Sequence, residues 1–130
     1  MYAKWWILKA VNAHRMMRGL PPLHIHEDNS RDAQRFAQYL LDSGLIFRFY
    51  FYAHELTNFR ANFQAESIGF MRLRESELKQ YHIDWLIWEL VEREEEGHTR
   101  HILRPDYTHL GADVAFDGMN LVLVQRFSRI

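Results

Sequence analysis

Leu110-Gly111-Ala112-Asp113-Val114-Ala115-Phe116-Asp117-Gly118-Met119-Asn120-Leu121-Val122-Leu123-Val124-Gln125-Arg126-Phe127 decides the fold class. Leu110, Ala112, Val114 and Phe116 alternate, Asp117-Gly118-Met119-Asn120 carries the Asp-Gly hairpin signal, and Leu121 to Phe127 is an apolar run. Such a pattern predicts two antiparallel strands joined by a tight turn, the second strand being central. Upstream the period changes. Apolar residues Leu78, Ile83, Trp85, Leu86, Ile87, Trp88, Leu90 and Val91 cover most of a helix circumference. They predict a helix from Ser76 to about Glu95, buried on more than one side. Asn29 and Asp32 approximate a capping box before Ala33, Phe36, Ala37, Leu40, Leu41 and Gly44, which predicts a helix over about 30 to 43. Trp6, Ala10, Ala13 and Met17 share an arc over about 3 to 18, and Gly19 with Pro21-Pro22 ends that helix. Ser67 to Leu73 alternates weakly and reads as a short strand; the aromatics of Ile46 to Tyr52 are strand-like too. The sum is an α+β domain with helices packed on an antiparallel sheet.

One domain over residues 1–130 is expected, since a chain of this length removes roughly two-thirds of its unfolded surface from water. Hydrophobic residues at 48% and aromatics at 15% exclude a disordered chain. With a net charge of −1 and scattered Lys and Arg there is no basic field for nucleic acid. The absence of cysteine excludes disulfides and thiolate zinc sites. Met1 to Lys9 is too short an apolar run, broken by lysine, to be a secretory h-region or a membrane span. The chain is therefore expected to be cytoplasmic or an excised mature domain.

Three segments offer ionisable groups among apolar neighbours: Tyr52-Ala53-His54-Glu55, Ala65-Glu66-Ser67-Ile68-Gly69-Phe70, and Gly97-His98-Thr99-Arg100-His101-Ile102-Leu103. Neutral imidazoles at His54 and His98 can ligate a divalent cation, and the Glu66 carboxylate can ligate or act as a base. The same three groups could equally form a structural network of charge-assisted hydrogen bonds. His101 is a further candidate, although in an extended segment it points away from His98. The zincin pattern fails, because Asn58 stands four residues after His54. His24-Ile25-His26 follows two prolines and reads as a solvated pair in a loop. Glu92 to Glu96 reads as a solvated helix end, and acids at a C-terminus oppose the macrodipole, so the helix is expected to stop near Glu92. No serine sits in a nucleophile elbow.

Val11-Asn12-Ala13-His14-Arg15 and Gly19-Leu20-Pro21-Pro22-Leu23, the small Ala33 and Ala37, His54, Glu66-Ser67-Ile68, Gly97-His98 and Tyr107-Thr108-His109-Leu110-Gly111 follow one another in an order known elsewhere. Together they resemble the CAP superfamily (cysteine-rich secretory proteins, antigen 5, pathogenesis-related 1) in its short bacterial, SCP-like form. The resemblance implies a three-layer α-β-α sandwich with a central antiparallel sheet, and a cleft lined by His54, Glu66 and His98. It also implies a second glutamate on the preceding helix. The matching place, three residues after Trp85, holds Trp88, which leaves Glu89 and Glu92 as candidates. Thr99 and His101 replace the arginine and asparagine usual after Gly-His in bacterial members. Members are mostly exported, which implies an extracellular, cell-surface or periplasmic domain; the missing cysteines suit the bacterial branch.

The expected function is a binding or interaction module whose cleft takes a divalent cation, zinc among them, or a small ligand. One alternative is a metal-dependent hydrolase with the metal on His54 and His98 and Glu66 activating water. Another is lipid or sterol binding in an aromatic groove. The partner is a small molecule, lipid or protein, with no nucleic acid and no transmembrane segment.

Overall fold

The computed structural model describes residues 3–44, 63–96 and 100–130. Among these described residues, three helices and four strands follow in the order α1 (Ala3–Met17), β1 (His24–Ile25), α2 (Glu27–Ser43), β2 (Ala65–Arg72), α3 (Gln80–Glu95), β3 (His109–Phe116) and β4 (Asn120–Ser128). In space the strands run β1-β3-β4-β2. The hairpin pairs as its sequence predicts, with Leu110 opposite Phe127 and Phe116 opposite Leu121. Gly118 supplies the positive φ of its turn, and Asp117 Oδ1 accepts from the amides of Met119 and Asn120. β2 adds antiparallel to β4, but β1 lies parallel to β3, so the expected antiparallel sheet is a mixed one. The two residues of β1 are too few to carry a strand period of their own, which is why the sequence reads as a loop there.

Each sheet face has its own core. Val122, Val124 and Ala115 pack with Ala33, Phe36, Ala37, Leu40 and Leu41 of α2. Leu121, Leu123, Phe127, Leu110, Ala112 and Val114 pack with α1 and α3 on the other side. Alternation along each strand divides the side chains between the two layers. This is the expected α-β-α sandwich.

Three helix boundaries or faces differ from their periodic readings. α2 starts at Glu27, because His26 is its N-cap and its Nδ1 accepts from the Asn29 amide at 3.1 Å. α1 buries Ala3, Ile7, Ala10, Val11 and Arg15, while Ala13 and Met17 face solvent. A charged residue thus sits on the buried stripe, and the apolar count alone rotates the face. α3 starts at Gln80, where the Lys79 amide donates to His82 Nδ1 at 3.0 Å, and it continues past Glu92 to Glu95. It buries only one side: Tyr81, Trp85 and Trp88 are each about half exposed. No helix among the described residues is long and apolar enough to cross a membrane.

Candidate functional site

Glu66 is the one member of the expected site within the described residues; His54 and His98 lie outside them. β2 places Glu66 directly opposite Arg126 of β4, in the same sheet row as Gly111 of β3. Residues of this parity on β2 and β4 point toward α2. Arg126 Nε donates to Glu66 Oε2 at 2.9 Å, and the two side chains are only 9% and 5% exposed. Above the guanidinium lie the rings of Phe36 and Phe63, 5.3 and 4.6 Å from its central carbon. A buried carboxylate is thereby paired by a charge-assisted hydrogen bond with a guanidinium that lies against two aromatic rings. Sequence does not single out Arg126, since its charge merely interrupts an apolar run. The cross-strand register to Glu66 is what reveals it.

Glu89, the candidate second glutamate, pairs with Arg93 at 2.9 Å on the partly exposed side of α3. Glu92 is partly buried. The buried acid of that helix is Glu94, 5% exposed, which accepts from the amides of His101, Ile102 and Leu103 at 3.1, 2.9 and 3.0 Å. A carboxylate ringed by three N–H groups has its charge compensated by backbone dipoles. This explains why the helix runs through its acidic end instead of stopping at Glu92. Glu94 also lies on the stripe of Ile83, Ile87, Leu90 and Val91, four residues past Leu90, and that spacing is a sequence signal for its burial.

Arg15 holds the same segment from the opposite side. Fully buried, it donates from Nε to Pro21 O at 2.8 Å, and from Nη1 to Ile102 O and Arg104 O at 2.8 and 2.9 Å. The peptide groups of Ile102 are thus clamped twice, N–H to Glu94 and C=O to Arg15. Burial lowers the Arg15 pKa while the negative charge of Glu94 raises it. Asn12 adds a reciprocal pair with Leu23, its Nδ2 donating to the carbonyl at 3.0 Å and its Oδ1 accepting from the amide at 2.7 Å. The Asn-x-x-Arg residues of α1 are therefore framework: they hold the chain around β1 and the turn downstream of His98.

His101 lies in that turn rather than in an extended strand, its ring 6.1 Å from Phe127. Burial lowers its pKa, partly countered by Glu94, so the neutral imidazole is favoured. Phe127 pairs with Ala65, one residue from Glu66. The turn after His98 and Glu66 therefore occupy the same end of the sheet, on opposite faces, and β2 is its outer strand. Among the described residues no three His, Asp or Glu side chains gather as a metal cage.

The model of the CAP family, described as cysteine-rich secretory protein family, matches residues 8–127. The chain is also similar to a solved extracellular protein containing an SCP domain from Bacillus anthracis str. Ames. Identity is 17% and TM-score 0.54, over 95% of this chain and 39% of that one. A cysteine-rich secretory protein from Staphylococcus aureus subsp. aureus Mu50 aligns at 15% identity and TM-score 0.52, over 92% of this chain and 37% of its own. The chain thus spans about two-fifths of the length of these solved structures. No curated protein matches it.

Proposed function

Since the chain belongs to the CAP, or cysteine-rich secretory protein, family, we infer that it is an exported binding module whose cleft, lined by His54, Glu66 and His98, takes a divalent cation or a small ligand. The Glu66–Arg126 pair carries this reading. It sets a buried ion pair at the same end of the sheet as the turn that follows His98, on the opposite face, and preorganised charge lowers the cost of capturing a polar ligand. Glu66 suits binding better than base catalysis, because taking up a proton would strand the buried Arg126 cation. The extracellular description of the Bacillus anthracis protein supports a role outside the cytoplasm.

Zinc titration at micromolar concentration, followed through the imidazole resonances of His54 and His98, tests the cation form. Both resonances are expected to move together, with a rise in Tm. His98→Ala should abolish the movement of His54 while costing little stability. Unmoved wild-type resonances, or a His54 resonance that still moves in the variant, overturn the assignment.

A further inference from the structure

Away from that cleft, the parallel pairing of β1 with β3 sets His24 opposite His109 in register. Their ring centroids are 5.7 Å apart, with the planes inclined at 48°. An ion at the usual zinc–imidazole distance lies about 3.2 Å from each ring centre, so two rings sharing a tetrahedral ion have centroids roughly 5.2 Å apart. The observed separation is wider by about half an ångström, which side-chain rotation closes.

Hydrogen bonding prepares one of the two rings. The Thr108 hydroxyl donates its single proton to Ser128 O at 3.3 Å and accepts from the Ile130 amide at 3.0 Å. In the tautomer whose ring donates its Nδ1 proton across the 2.8 Å contact to the Thr108 hydroxyl, His109 Nε2 keeps a free lone pair. Donation from the second ring nitrogen to an oxygen is the support metal-ligating histidines typically have. His26, 6.3 Å from His109, is engaged elsewhere, because its Nδ1 accepts from Asn29 and in the neutral ring the proton therefore sits on Nε2.

We propose that His24 and His109 form a two-histidine site for a borderline transition-metal dication such as zinc, with water completing the coordination, Thr108 orienting His109, and His26 kept as the helix cap. The site uses residues remote in sequence, brought together only by the short parallel strand. It is separate from the His54 and His98 cleft and does not depend on it.

Zinc titration of the His98→Ala protein, in which the cleft is disabled, separates the two sites. The imidazole resonances of His24 and His109 should shift with one common midpoint, and His24→Ala, a change at an exposed position, should remove the His109 shift. His26→Asn retains a capping side chain and should leave uptake intact. Thr108→Val should change the nitrogen shifts of His109 toward a mixed tautomer and weaken uptake by about tenfold. The proposal fails if His24 and His109 do not move, or if His109 responds equally without His24. In the wild-type protein, movement of His54 and His98 with His24 and His109 unmoved would support the cleft and overturn this second site.

Discussion

At the scale of single residues, the decisive chemistry is charge taken out of water and compensated by backbone. Arg15 and Glu94 never touch as an ion pair in the described contacts, yet both grip the peptide groups around Ile102, one through the carbonyl and the other through the amide. Removing one partner leaves polar groups buried without compensation. Glu94→Ala is therefore expected to cost about 3 kcal/mol or more of unfolding free energy, as three amides lose their acceptor. Glu94→Gln, which keeps one acceptor oxygen, should recover part of that loss. Urea denaturation of the two variants measures both; a loss within about 0.5 kcal/mol for the alanine variant, as at an ordinary surface position, would remove Glu94 from the framework. In a run of acids from Glu92 to Glu96 nothing about composition marks this one. Its place on the helical stripe does.

At the scale of elements, close approach matters more than apolar count. α2 crosses β3 so tightly that a Cβ on Gly111 would meet the backbone carbonyl carbon of Asn29 at 2.7 Å and its Cβ closer still. Helix backbone cannot step aside without moving Ser30, whose hydroxyl accepts from the Ala112 amide at 3.1 Å. Gly111→Ala should cost about 3 kcal/mol through overpacking, read as a fall in the denaturation midpoint with unchanged slope. Gly69 is a gentler case: its missing Cβ faces the end of the Leu86 side chain at 3.2 Å, which can yield. The same contrast explains α3. Trp85 and Trp88 belong to an apolar set by composition, but only the side toward α1 and β2 is covered, and both rings stay half exposed. Ala33 and Ala37, by comparison, are legible as small residues and are fully buried against the sheet.

For the molecule as a whole, acidity is the variable that reaches several elements together. His14 on α1, His101 in the turn and His109 on β3 all have lowered pKa values, with burial the largest cause in each. A depressed imidazole binds fewer protons folded than unfolded. Its stability contribution is complete above the unfolded value of 6.5 and is lost as pH falls through the lower folded value. Asp113, raised by burial, acts in the opposite sense but only in the carboxylate range. Tm should consequently be lower at pH 5.5 than at pH 7.5, and His101→Phe should reduce the difference. An unchanged or rising Tm on acidification would contradict the buried neutral rings. From the sequence alone came the closing hairpin, the three helices, the αβα class through its family motifs, and Glu66 as a residue of interest, because periodicity and turn chemistry act over a few neighbours. Only the folded molecule revealed the parallel His24–His109 pairing, the Arg126 partner of Glu66 and the clamp of Arg15 and Glu94 on one peptide. The last two depend on register and burial between segments 60 and 87 residues apart, distances over which local pattern carries no information.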